Sequence, residues 1–372
     1  MKLTIERTAF LKSLGHVQSV VERRNTIPIL SNLRMDATDQ GLALNATDMD
    51  LEIVETLGAE VATPGLTTAP AHTLYDIVRK LPDGSQVELT HDATEGQLVL
   101  RAGRSRFRLA CLPVDDFPVM NPGEFSHTFA IPSADLRSLI DRTRFAISTE
   151  ETRYYLNGIF LHATENAGVP VLRAVATDGH RLACVETPLP EGAAGMPAVI
   201  LPRKTVGELR KLIDETGMAV TVSLSEHKVR FAFDDVRLIS KLIDGKFPDY
   251  ERVIPTDNDK VLEVERQPFA QAVDRVAAIS TEKSRAIKVA ATPGLLTLSA
   301  SSPDAGSALE EIEAKFEAAP LDIGFNARYL LDILDQIQGD SVRLTLADSS
   351  SPTVLRDGAD GSAVYVLMPM RV

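Results

Sequence analysis

Phe10-Leu11-Lys12-Ser13-Leu14-Gly15-His16-Val17 sets apolar side chains at positions 10, 14 and 17, one face of a helix. The phrase returns as Leu136, Ile140 and Thr143, and again as Phe269, Val273 and Val276. A second phrase recurs beside it: Pro70, Leu74, Ile77 and Leu81; then Pro202, Val206, Leu209 and Ile213; then Asn326, Leu330, Ile333 and Ile337. Copies of the first phrase lie 126 and 133 residues apart, copies of the second 132 and 124, and one third of the 372 residues is 124. A period this long is a whole domain, not the unit of roughly 20 to 50 residues that builds a solenoid.

Working outward through the first copy, Leu3 and Ile5 read as a short strand, and Thr8 as the cap of the helix carrying Phe10, Leu14, Val17 and Val21. Pro28–Met35 reads as a strand, followed by a turn at Asp39-Gln40-Gly41 and alternation through Leu42, Leu44, Leu51 and Ile53. The second helix is expected over 71–81, with Pro82-Asp83-Gly84 as its stop. Val87-Glu88-Leu89 then pairs with Leu98-Val99-Leu100 across a turn at Ala93–Gly96, and Arg106–Leu109 completes the copy. Each copy thus offers two amphipathic helices and about eight strands. That is an α+β arrangement, with helices gathered on one face of antiparallel sheet. Turn-rich segments near Pro122-Gly123 and Pro255-Thr256-Asp257 bound three domains: 1–123, 124–256 and 257–372. Phe117-Pro118 and Phe247-Pro248-Asp249-Tyr250, read as a strand, repeat just before the two borders and fix the register of the copies.

Hydrophobic content of 44% and charged content of 24% are those of an ordinary globular chain. With no Trp and 5% aromatics, the cores must be aliphatic. Residues 1–20 lack a continuous apolar segment, and no stretch of 18 apolar residues occurs, so neither a signal peptide nor a membrane span is expected. Cys111 and Cys184 read as buried free thiols of a reducing cytoplasm. No CxxC accompanies the scattered histidines, so no metal site is expected.

The formal net charge of −13 argues against nucleic acid when taken as a whole. The distribution argues otherwise. Arg7, Lys12, Arg23, Arg24, Arg79 and Lys80 surround the first copy's helices. Arg137, Arg142, Arg144, Arg203, Lys204, Arg210 and Lys211 outnumber the acids on the second copy's helices. In the third copy the excess vanishes, and acid collects at Glu310, Glu311 and Glu313. A positive helical face suits salt-screened contact with a phosphate backbone, and no base-reading helix is evident.

Several strings now carry a resemblance. Thr26-Ile27-Pro28-Ile29-Leu30-Ser31-Asn32-Leu33, Ala46-Thr47-Asp48-Met49-Asp50 and Arg153-Tyr154-Tyr155-Leu156-Asn157-Gly158 are similar to signatures of the bacterial replicative sliding clamp, the β subunit of DNA polymerase III. So are Ala176-Thr177-Asp178-Gly179-His180-Arg181-Leu182-Ala183, the run from Ser240 to Tyr250, and the tail Tyr365-Val366-Leu367-Met368-Pro369-Met370-Arg371-Val372. The resemblance runs end to end. It implies a non-catalytic processivity subunit: a head-to-tail homodimer of the clamp fold, six domains in a ring, helices inside and sheets outside. Twelve helices about 10 Å apart enclose a circle roughly 38 Å across between axes. Less about 5 Å of helix radius on each side, that leaves about 28 Å, wide enough for duplex DNA. Six helices would leave only about 9 Å, so two chains are needed.

The resemblance also implies roles. DNA would meet Arg24, the Thr149–Tyr155 loop with Glu150, Tyr154 and Tyr155, and the helix start at Arg203 and Lys204; Glu150 stands where the family commonly has a neutral polar residue. A pocket for partner peptides would use Leu156, Thr177, Gly179, His180, Arg181, Leu182, Pro248 and Val253. Its second part would use Asn326, Tyr329, Val366, Met368, Pro369, Met370 and Arg371, with Pro352 where the family often has a serine. The dimer seam would set Ala278 and Ile279 against the Leu74 region, with Arg101, Arg104 and Arg106 facing Glu310, Glu311 and Glu313. Implied partners are duplex DNA without sequence preference, the replicative polymerase and an ATP-driven clamp loader. Repair polymerases, mismatch repair proteins, ligase and an initiation regulator complete the set. The resemblance implies neither cofactor nor membrane, and places the protein in the cytoplasm.

On the residues alone, bland readings stand beside these. The Asp178-Gly179 turn reads as a hairpin, the C-terminal Val366–Met370 as a closing core strand, and the arginines and glutamates as solvated edges. An alternative function is a metal-dependent DNA hydrolase built on Asp48, Asp50, Asp178 and His180, and a second is a scaffold without DNA. The chain has no GxxxxGK[ST] loop, so an ATP-driven step would belong to a partner.

Overall fold

Every apolar phrase falls on a helix, although Leu81, Thr143 and Ile337 lie past the helix ends. The computed structural model describes residues 1–92, 94–121, 123–214, 217–280 and 285–371; Ala93 of the expected turn, Pro122 of the expected border and the terminal Val372 lie outside these. Six α-helices occur among the described residues: α1 (Arg7–Gln18), α2 (Ala71–Lys80), α3 (Ser133–Asp141), α4 (Arg203–Ile213), α5 (Arg266–Ala277) and α6 (Ala327–Leu334). Phe10, Leu14 and Val17 are fully buried, as are Thr143, Phe269 and Val273, while Leu136, Ile140 and Val276 are nearly so. Each large apolar side chain taken from water in this way contributes about 1.5–3 kcal/mol. α1 packs on α2, and α5 on α6.

Local chemistry adjusts several expected boundaries. Glu6, not Thr8, caps α1: its Oε2 accepts the Ala9 N–H at 2.9 Å. Pro28–Ser31 is a 3-10 turn, and the strand begins only at Asn32, because Pro28 has no N–H to give a ladder. α3 ends at Asp141, so Thr143 lies past the helix, where its Oγ1 donates to the Leu139 carbonyl at 2.6 Å. The segment around Phe247-Pro248-Asp249-Tyr250 is not a strand; it leads into a 3-10 turn at Tyr250–Val253.

The described chain divides into two compact units. The first comprises Met1–Leu136, Pro190–Pro197 and Lys204–Leu242. It holds a five-stranded antiparallel sheet in the order Glu60–Thr63, Lys2–Glu6, Gln86–Asp92, Gln97–Ala102, Ser105–Ala110. It also holds an eight-stranded sheet, in which Val236–Lys241 pairs with Leu51–Leu57 and Leu238 lies opposite Ile53. The second unit comprises Arg137–Leu189, Ala198–Arg203 and Ile243–Val372. Its nine-stranded sheet joins Arg181–Pro188 to Ala363–Leu367, with Leu182 opposite Val366. Its four-stranded sheet runs Gly306–Glu313, Leu295–Ser302, Ala286–Thr292, Leu321–Asn326. The units cut through the middle copy because main-chain ladders continue across the borders between copies.

Candidate functional site

In the second unit, four pieces of chain converge on one cavity of about 380 Å³. The 3-10 segment Glu151–Leu156 supplies Arg153, Tyr155 and Leu156; the hairpin turn supplies Thr177, Gly179, Arg181 and Leu182. Pro248, Tyr250 and Val253 form a third side, and Val366 and Met368 the last. The floor is one buried apolar cluster of Leu156, Val175, Leu182, Cys184, Ile200, Phe247, Tyr250 and Val366.

The turn is held by the Asp178 side chain. Asp178 Oδ1 accepts the N–H groups of His180 and Arg181 at 2.9 and 3.0 Å, and Gly179 takes φ +87°, which only glycine adopts freely. Arg181 locks the turn to its surroundings. Its guanidinium donates to Asp178, to Asp332 of α6 and to the Phe145 carbonyl, and lies over the rings of Phe145 and Tyr329 at 5.0 and 4.4 Å. His180 stacks on Tyr329 instead of lining the cavity.

Below the cavity, Tyr250 is 5% exposed, and burial pushes its hydroxyl up to about 12. Arg173 donates to that hydroxyl at 2.8 Å and to Glu186, and the His162 Nε2 lies 3.0 Å from the same oxygen. Burial, and then the neighbouring Arg173, hold the imidazole below its ordinary pKa. Tyr250 is thus a rigid apolar wall with its one polar atom tied off beneath. Burial likewise raises the Cys184 thiol to about 12, which leaves it unreactive, and raises half-buried Cys111.

Of the fifteen residues expected at a peptide pocket, nine line this cavity: Leu156, Thr177, Gly179, Arg181, Leu182, Pro248, Val253, Val366 and Met368. The remainder sit around it. Asn326 is a helix cap whose Oδ1 accepts the N–H groups of Arg328 and Tyr329. Tyr329 is held under Arg181, Met370 bridges to the Gly324 carbonyl at 2.8 Å, and Pro369 and Arg371 flank that bridge. The closing strand stops at Leu367, so Val366 is core and Met368, 37% exposed, turns into the cavity. The C-terminus is thus a closing core strand up to Leu367 and a cavity wall at Met368. Arg153, Tyr155 and Tyr250 also line the cavity, beyond the residues that the resemblance implies. Arg153 and Tyr155 stood in the string that ends in Leu156, and Tyr250 closes the Phe247-Pro248 phrase.

The residues expected on DNA fare unevenly. Arg24 and Arg203 are exposed. The Lys204 ammonium is bonded to Asp48 and Glu22. Arg142 is not on a helix face at all: it is 5% exposed and pairs with Asp360 at 2.9 Å. Arg7, Arg79, Arg144, Arg210 and Lys211 each have a carboxylate partner. Glu150 is gripped by the Arg153 fork at 2.7 and 2.8 Å, which cancels the carboxylate that sequence set against phosphate. Tyr154 is 54% exposed and meets Tyr155 edge to face. Of the candidate hydrolase set, Asp48, Asp50 and Asp178 are each paired with a base, Lys204, Lys241 and Arg181.

At the expected seam, Leu74 is fully buried and offers no surface; half-buried Ile77 stands nearer solvent. Ala278 is exposed at the end of α5, and Ile279 is half-buried. Strand period separates the acids. Glu311 and Glu313 point outward with Leu309, whereas Glu310 turns inward and binds Arg275 of α5, which holds its carboxyl below the usual range. On the other edge, Arg101 lies directly opposite Arg106 on the outer face, and Arg104 caps the hairpin between them.

Helix pairs packed on antiparallel sheets, with an apolar cavity beside the closing strand, are the architecture of the DNA clamp class. Three profiles of the DNA polymerase III beta subunit match in order: the N-terminal domain over residues 1–121, the central domain over 130–249 and the C-terminal domain over 251–371. The chain is 56% identical over 372 residues to the beta sliding clamp of Caulobacter vibrioides, and 38% identical over 374 residues to that of Escherichia coli, with full coverage of both partners in each case. The crystal structure of the Caulobacter crescentus beta sliding clamp with bound polyethylene glycol superposes at a TM-score of 0.97, 56% identity and coverage of 100% and 99%. The DNA polymerase III beta subunit of Bartonella birtlesii bound to griselimycin superposes at 0.97, with 50% identity and full coverage of both chains. The chain belongs to the DNA polymerase III beta subunit family, the bacterial sliding clamps.

Proposed function

We propose that two copies of this chain close head to tail into a ring around duplex DNA, and that the ring tethers the replicative polymerase through the apolar cavity. Its domains are 1–123, 124–256 and 257–372. The protein does no chemistry; it works in the cytoplasm as a mobile anchor, and tethering acts through effective concentration.

The observation that carries the reading is a pair of complementary sheet edges. Ser105–Ala110 ends one sheet with Arg106 and Arg108 outward and Arg101 behind them. Gly306–Glu313 ends another with Glu311 and Glu313 outward. Unpaired edges invite another strand, and two arginines set opposite each other call for an acidic neighbour. One edge on each unit makes a heterologous contact, which two copies can close. Arg24, Arg203 and the loop with Tyr154 would meet phosphate loosely. The peptide pocket takes motifs carrying large apolar side chains, with Met368 adapting to their shapes. Polymerase, ATP-driven loader, repair polymerases, mismatch repair proteins, ligase and initiation regulator would compete for it.

The test loads the protein on DNA with a clamp loader and ATP and follows retention. Rings are expected to persist on circular DNA and to leave linear DNA through its ends. Equal retention on both forms would exclude the topological mechanism.

A further inference from the structure

The first unit carries a second cavity, of about 280 Å³, on its eight-stranded sheet. Strand registers show what it corresponds to. In the second unit Thr177 lies opposite Leu182, Val175 opposite Cys184, Leu182 opposite Val366 and Cys184 opposite Val364. In the first unit Thr47 lies opposite Glu52, Asn45 opposite Val54, Glu52 opposite Ile239 and Val54 opposite Arg237. The two ladders match position for position. Asn45 and Glu52 therefore stand where Val175 and Leu182 floor the apolar cavity, and Arg237 stands where Val364 does. Met120 follows Phe117-Pro118 as Tyr250 follows Phe247-Pro248, and it too lines its cavity. The repeat built the same depression twice and filled the first with polar groups.

Two of those groups are deeply placed, and several are incompletely used. Glu52 is 2% exposed and Asn45 7%. Asn45 Nδ2 donates to Glu52 Oε1 at 2.7 Å. Arg34 reaches Asp36 at 3.4 Å, and Arg230 donates to Ser223 at 3.1 Å while lying over the Phe125 ring at 4.8 Å. Yet Asn45 Oδ1, Arg34 Nε and Arg230 Nε are buried and have no hydrogen-bond partner within the protein. Two cationic donors and one neutral acceptor are thus left open in one small cavity, whose other charged lining groups are Arg237, Asp36 and Glu52. Buried polar atoms without partners are rare in folded proteins, because each loses its bond to water. The set matches an oxyanion that carries a donor beside it: the anion accepts from the two arginines, and the donor gives to Asn45 Oδ1.

We propose that this cavity binds a carboxylate with a neighbouring N–H or O–H donor. The same chemistry is carried by a free hydroxy acid and by an acidic residue of a peptide with its own amide N–H. The volume, just below the roughly 300 Å³ at which drug-sized pockets begin, suits either a small acid or one side chain.

The test is calorimetric titration of the full chain at fixed ionic strength, with L-malate in one arm and the peptide acetyl-Gly-Glu-Gly-amide in the other. Succinate, which lacks the donor, serves as control. Saturable binding of either probe, tighter than succinate, supports the site, and the arm that binds names the source. Asn45→Leu and Arg230→Met should each weaken it by about tenfold, the first by losing one neutral hydrogen bond and the second one charge-assisted bond. The second variant is needed because the first also removes the Glu52 partner. Met368→Ala, in the apolar cavity, should leave it unchanged. The proposal fails if neither probe binds at about 10 mM, an affinity too weak to matter against millimolar metabolites. It also fails if both variants bind like the parent, or if Met368→Ala abolishes the signal.

Discussion

Arg181 ties the hairpin turn at the peptide cavity to α6, and Arg181→Met removes the guanidinium while keeping most of the apolar stem. The Arg181 side chain is 9% exposed, and its partners Asp178 and Asp332 are 17% and 31% exposed. The variant strands both carboxylates, frees the Phe145 carbonyl that Arg181 meets at 2.6 Å, and gives up two ring contacts. Removing one partner of a buried ion pair costs about 3–5 kcal/mol. Here the lower end applies, since Asp332 reaches solvent and Asp178 keeps its bonds to two backbone N–H groups. The expected loss is about 3 kcal/mol. Asp332→Leu alone should cost about 1 kcal/mol, because Arg181 retains Asp178 and the carbonyl. The double variant should cost less than the sum by about 1–2 kcal/mol, the pair no longer leaving a charge behind. With two compact units, a single unfolding midpoint is ill-defined. Native-state hydrogen exchange at the amides of Arg181–Pro188 reads the local free energy instead. A loss below about 1 kcal/mol for Arg181→Met, or additivity within about 0.5 kcal/mol, would refute the assignment of Arg181 as the lock of the turn.

Ile279→Asp should convert dimer to monomer by sedimentation, while costing the chain's own stability only about 1 kcal/mol for a half-buried side chain; a dimer of undiminished affinity would remove α5 from the seam. Arg203→Ala should lower the salt slope of DNA binding by about 0.9, whereas Lys204→Ala should change it little because Asp48 and Glu22 already hold that ammonium. Equal slopes for the two variants would contradict this ranking. Burial raises the Glu52 carboxyl, so the folded chain keeps a proton that the unfolded chain has released, and the stability Glu52 contributes is full at acid pH and lost as pH rises through its folded pKa. Glu52→Gln should therefore gain on the parent as pH rises from 4 to 8, read by native-state hydrogen exchange at the amides of Leu51–Leu57; a flat or falling difference would mean the carboxyl is better solvated than its 2% exposure indicates.

The sequence by itself determined the three copies, the helix faces and the family, because helical and strand periods are set by neighbours a few residues apart. Phe10, Leu136 and Phe269 could be called buried from spacing alone. The same locality explains the nine lining residues it found: the turn at Asp178-Gly179 and the tail at Met368 are short strings read in place. What only the tertiary structure decided depends on partners far along the chain. Charge on a helix says nothing of who answers it, so Lys204 read as a phosphate ligand until Asp48 and Glu22 met it, and Arg142 until Asp360 did. Strand register separated Glu310, turned to Arg275, from Glu311 and Glu313 beside it. Register also set Asn45 and Glu52 where the other copy keeps Val175 and Leu182. A repeated phrase foretells a repeated backbone; which side chains face one another across it is fixed only when the strands pair.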